Sequence, residues 1–172
     1  MNPNNWFTVG TFIVVATLLS TAFGQSVKQD RLPLRSVMAF SDRQWQFIKI
    51  WVNVALLIGI VIPAVMSLFF WHTPVVNRFF ACYLLVIIVQ LGSEITMSRI
   101  LCKSVVVIIG TLYTGFRVWQ LGAGLELMGD RQPWLGLLWL VLLFWVANLV
   151  MLITQAIPSI LPNKVEGEGD LG

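Results

Sequence analysis

Apolar residues in this chain fall into five long runs separated by short polar connections. A bilayer core of about 30 Å takes roughly 20 apolar residues as a helix. The runs at residues 6–24, 48–71, 78–98, 104–127 and 133–157 meet that length. The pattern predicts an all-α fold, an integral membrane bundle of five transmembrane helices forming one domain over residues 1–164. The fifth run is the cleanest, with no charged residue between Arg131 and Lys164. The third and fourth are each interrupted by one charge, Glu94 and Arg117. Residues 165–172 are acidic and glycine-rich and read as a disordered tail.

Polar residues recur at steps of three, four or seven within these runs, which keeps them on one helical face. The second run carries Asn53 and Ser67. The third carries Tyr83, Gln90 and Glu94, and the fourth Gly110, Tyr113, Arg117, Gln120 and Gly124. The fifth carries Asn148 and Gln155. Lipid cannot satisfy such groups, so these faces are expected to turn inward. Helical rise puts Glu94 about 24 Å from the outer surface and Arg117 about 15 Å from it. A long guanidinium side chain covers that offset. The expectation is therefore a buried Glu94–Arg117 ion pair with Gln90 as its hydrogen-bonding neighbour. Such a pair can serve only to neutralise two charges and fix helix register. A ligand or pigment site, or a proton path, are the functional alternatives.

Lys and Arg in the connections set the orientation. Lys28, Arg31, Arg35, Arg43, Lys49, Arg99, Lys103 and Lys164 fall on one side; Arg78 and Arg131 fall on the other. This asymmetry predicts an N-terminus outside and a C-terminus in the cytoplasm or its equivalent. Trp6, Trp45, Trp51, Trp71, Trp119 and Trp134 lie near run ends, where amphipathic rings anchor at the interface. Ser41 and Gln44 have capping-box spacing, which starts the second helix near Asp42. Pro63, inside that helix, is expected to kink it. The first run lacks a basic flank and is read as a retained helix, with a signal peptide as the alternative.

Composition agrees: 58% of residues are hydrophobic and 11% charged, against about 25% charged in soluble domains. The net charge of +3 is carried by flanks of the runs rather than one basic face, which argues against nucleic-acid binding. Cys82 and Cys102 are twenty residues apart and are expected near opposite surfaces, with no disulfide between them. No metal-ligand cluster, nucleophile constellation or phosphate loop is present, so no catalytic residue is assigned. His72 is the single histidine and sits in the second connection. It reads as a solvated turn residue. Chlorophyll or carotenoid ligation by His72, or by Glu94 balanced by Arg117, is the functional alternative.

Several of these residues also carry a likeness. The segment Ile-Gly-Ile-Val-Ile-Pro with Gly59 and Pro63, Gln90-x-x-x-Glu94, and Tyr113-x-x-x-Arg117-Val-Trp come first. Ala147-Asn148 and Pro158-Ser-Ile-Leu-Pro162, followed by Lys164, complete the set. In order and spacing they resemble a family of multi-span membrane proteins of plants and cyanobacteria whose plant members carry a domain of unknown function. The likeness covers residues 48–164. The connection after Glu94 is shorter in this chain than in the family pattern, leaving Arg99 as a second possible partner for Glu94. The resemblance implies a thylakoid or plasma membrane of a photosynthetic organism and no established activity.

Together these readings lead to a non-enzymatic accessory protein that docks on, stabilises or helps assemble a larger membrane complex, plausibly photosynthetic. A small transporter or channel subunit using the polar stripe is the alternative. An intramembrane enzyme is a third and weaker reading, because Ser93, Glu94 and Ser98 have no histidine beside them.

Overall fold

The computed structural model describes residues 5–38 and 40–162. The acidic tail and Lys164 lie outside the described residues. The chain runs through α1 (Trp6–Lys28), α2 (Asp42–Leu56), a π turn (Leu57–Val61) and α3 (Ile62–Phe69). It continues through α4 (Pro74–Ile100), α5 (Val105–Met128) and α6 (Trp134–Met151), and ends in a second π turn (Leu152–Ala156) and α7 (Ile157–Ile160). Taken with their π turns, these make five helices long and apolar enough to cross a membrane. They extend beyond several of the apolar runs, because a helix does not stop where hydrocarbon does. The second starts at Asp42 instead of residue 48, and the fifth reaches Ile160.

Local sequence explains the helix ends. Ser41 Oγ accepts from the Gln44 amide while Gln44 Oε1 accepts from the Ser41 amide at 2.9 Å, closing the expected capping box. Lys28 Nζ donates to the last-turn carbonyl of Ile100 at 3.0 Å, tying the ends of α1 and α4. Residues 29–38 and Phe40 cross the same end of the bundle. The Arg35 amide donates to Ile160 O, and the Ser104 amide donates to Ser36 O. Most of the chain's basic residues therefore gather at this end. Gly129 closes α5 at φ +52°, a conformation that costs glycine little.

The irregularity expected at Pro63 takes the form of a π turn rather than a simple bend. Proline has no N–H and its ring crowds the carbonyl four residues back, which is Gly59 O. The wider turn relieves that crowding, and the Tyr83 hydroxyl donates to Gly59 O at 2.9 Å in place of the missing amide. The second π turn has the same local sequence logic. Leu57-Ile58 followed by Ile62-Pro63 is matched by Leu152-Ile153 followed by Ile157-Pro158. This seven-residue echo is too short to announce a duplicated half.

Helix α5 is the most buried of the five and packs against α4, α6 and α1. One apolar cluster, with Phe79, Phe80, Leu121, Met128 and Leu138, fills the half of the bundle away from the basic end. A second joins α1 to α4 and α5 through Val9, Ala16, Val86 and Ile109, with Phe12 stacked on Phe116 at 3.9 Å. No residue of α2 is fully buried. This helix leans off the bundle between its capped start and its π turn, and the gap it leaves is the centre of interest.

A lateral chamber with a polar end

The gap is a cavity of about 300 Å3 in the half of the bundle nearer the basic end. Trp45, Ile48, Val52 and Ala55 of α2 form one wall, and Ile87, Gln90, Leu91 and Glu94 of α4 another. Thr114 and Arg117 of α5, with Trp145, Asn148 and Leu152 from α6 and its π turn, form the back. Met38 and Phe40 close it at the basic end. The wall residues Val52, Leu56 and Leu91 are themselves exposed on the bundle surface, so the chamber opens sideways between α2 and α4.

Its polar end is one connected network. Gln90 sits between the two charges: its Nε2 donates to Glu94 Oε1 at 2.5 Å, and its Oε1 accepts from Arg117 Nη2. Arg117 is 2% exposed. Its Nε donates to the Tyr113 carbonyl and its Nη2 also to Thr114 Oγ1, both at 3.3 Å. The guanidinium carbon lies 3.6 Å from the centre of the Trp145 ring, a cation–π contact in desolvated surroundings. Thr114 Oγ1 further accepts from Asn148 Nδ2 at 3.2 Å, and Asn148 Oδ1 accepts from the Trp51 indole at 2.7 Å. The Trp145 indole donates to the Tyr83 hydroxyl at 2.6 Å, which leads back to Gly59. The bonds from Arg117 through Gln90 to Glu94 run in one direction from cation to anion, so those two polarise one another.

The arrangement corrects several expectations. Glu94 and Arg117 are joined through the Gln90 amide, not by the direct ion pair expected. Gln90 lies one turn before Glu94 on α4 and takes the guanidinium first. Arg99 is exposed at the end of α4 and does not take that place. Asn53 is exposed rather than buried: it lies one residue beyond Val52, about 100° around the helix. It is also only about 8 Å past the start of the apolar run, where interfacial water is near. Tyr113 is buried, but on the α1 side. Its ring meets Phe12 edge-on at 5.1 Å and its hydroxyl has no hydrogen-bond partner among the described residues, so only its backbone joins the network. Gln155 is half-buried in the second π turn, outside the network. His72 is exposed in the turn between α3 and α4, away from the chamber. Asn148 and Gln90 are buried members of the network. Cys82 and Cys102 are buried and not disulfide-bonded. Among the described residues, no three His, Cys, Asp or Glu side chains converge as a metal site requires.

Three participants escaped the sequence reading. Trp51 was assigned to the interface, yet its ring stacks on Phe144 at 5.0 Å and its N–H serves Asn148. Thr114 and Trp145 were passed over entirely. A signal existed for both, since Thr114 precedes Arg117 by three residues and Trp145 precedes Asn148 by three. Each therefore shares a face with a polar residue that had been singled out.

No family model, curated protein or solved structure matches this chain. The resemblance to plant and cyanobacterial membrane proteins rests on its quoted motifs alone.

Proposed function

We propose that this chain is a non-enzymatic accessory protein of a membrane, and that it works by holding a lipid-like molecule in the chamber between α2 and α4. One observation carries this reading. The bundle keeps an apolar cavity open at its side and ends it in a buried, hydrogen-bonded polar network, and small-molecule sites combine those two features. A pair built only to fix helix register needs no cavity. The distribution of basic residues supports an orientation with the chamber in the inner half of the bilayer and the N-terminus outside. A photosynthetic membrane and a larger complex as partner are part of the same proposal, supported by the motif resemblance and by a chain with few polar residues outside its spans.

The transporter or channel alternative draws less support. Beyond Tyr83 and Gly59 the bundle is packed mainly with Phe79, Phe80, Leu121 and Leu138. A conduction route would need polar groups or water through that half.

The test is purification of the full chain in mild detergent, followed by mass spectrometry of extracted small molecules and an absorption spectrum. One retained amphipathic molecule per chain is the expected result, with pigment read directly from the spectrum. Ala55→Trp, which fills the cavity from the loosely packed α2, should still fold and should lose that molecule. A wild-type protein that carries nothing and is not stabilised by any added lipid overturns the proposal.

A further inference from the structure

The polar end of the chamber presents two atoms that the protein itself leaves unengaged. Among the described residues, the hydrogen bonds of Arg117 are made by Nε and Nη2 and none by Nη1. Glu94 accepts from Gln90 at Oε1, and among the described residues nothing donates to Oε2. Both residues line the cavity. One atom offers an N–H donor and the other an acceptor, and their charges cancel through the Gln90 bridge. Charged groups that face an apolar cavity are costly when nothing answers them.

We propose that the chamber takes a single-chain lipid alcohol: an uncharged hydroxyl head on a long hydrocarbon or isoprenoid chain. This rests on the chamber being a binding site, as proposed above. A hydroxyl is both donor and acceptor in one atom, so it suits either Glu94 or Arg117 without adding charge. A carboxylate or phosphate head would gain Arg117 but face Glu94. An ammonium head would gain Glu94 but face Arg117. A bare hydrocarbon would leave both groups unanswered. Size agrees: about 300 Å3 is some ten times the ~30 Å3 share of one liquid water, room for a head and the first part of a chain. The remaining chain leaves between α2 and α4, past the exposed side chains of Val52, Leu56 and Leu91, into the bilayer.

The experiment uses the delipidated full chain in detergent and reads binding by thermal shift and native mass spectrometry. The probes are oleyl alcohol, geranylgeraniol, oleate, oleylamine and octadecene. The two alcohols separate acyl from isoprenoid chains; the last three vary the head. Both alcohols, or one if chain shape also matters, are expected to bind at least about tenfold more tightly than the other three probes, the worth of one hydrogen bond to a charged group. Glu94→Gln keeps an acceptor for Gln90 but removes the negative charge, and should reverse the order so that oleate binds best. If no probe binds, or Ala55→Trp binds them all as the wild type does, the chamber reading fails. If Ala55→Trp abolishes binding but oleate, oleylamine or octadecene matches the better alcohol in the wild type, the chamber stands and the head assignment is wrong. An unchanged order in Glu94→Gln also overturns the head assignment.

Discussion

Gln90→Leu isolates the amide bridge. The two side chains are close in volume, so the substitution removes hydrogen bonding with little change in packing. Wild-type Gln90 takes Arg117 from α5 with its oxygen and serves Glu94 on its own helix with its nitrogen. Two bonds to charged groups would be worth about 3–6 kcal/mol at full value. Two effects reduce that figure. Interhelical bonds in membrane bundles average about 0.6 kcal/mol and reach about 1.7, because the unfolded helices also find partners. The cavity beside Glu94 can also admit water. Arg117 meanwhile keeps Thr114, the Tyr113 carbonyl and Trp145. The expected loss is about 2 kcal/mol, between the membrane average and the full value. Thermal unfolding in detergent, followed by fluorescence-detected size exclusion, reads the loss. Ile88→Leu, at a surface position on the same helix, is the control. The same change made in an Arg117→Met background should cost at least about 1 kcal/mol less, since contacting residues couple by that order. A Gln90→Leu protein as stable as the control, or a loss that is the same in both backgrounds, refutes the bridge.

Three further outcomes follow from the same geometry. Glu94→Ala or Arg117→Ala should each lower accumulation in the membrane, by up to about 3–5 kcal/mol where the remaining charge finds no relief. Glu94→Gln with Arg117→Met should be milder than either, as quantified by membrane-fraction immunoblots. Gly59→Ala would press a methyl group into the Trp145 indole, and Gly124→Ala would do so into the Phe79 ring. Each should cost about 1–3 kcal/mol of stability. Gly115→Ala and Gly122→Ala, which meet nothing within 4 Å, should be neutral or stabilising by thermal unfolding. Asn148→Leu strands the Trp51 indole and should cost about 1–3 kcal/mol. It should also free α2, seen as faster amide exchange across residues 42–56.

The five helices were legible in the sequence because each records its environment locally. A run of about twenty apolar residues has few other destinations, and the Ser41–Gln44 cap announces a start whatever surrounds it. Glu94 and Arg117 were legible for a related reason: a charge among apolar neighbours stands out, and its cost in lipid implies a partner. Which partner was another matter. Periodicity assigns a residue to a face but gives no rotation of one helix against the next. It could therefore neither separate Asn148, which joins the network, from Asn53, which faces outward, nor place Gln90 between the two charges.

The sequence by itself determined the number of long apolar helices, the gathering of basic residues at one end and the presence of opposite charges among apolar neighbours, because each is written along a single helix. Only the tertiary structure decided that α2 stands away from the others and leaves a chamber. That outcome depends on Pro63 widening a turn, on Tyr83 reaching across from α4 to the Gly59 carbonyl, and on Trp145 fitting where Gly59 has no side chain. These are contacts between distant segments, and the chamber they leave open is a property of no single helix.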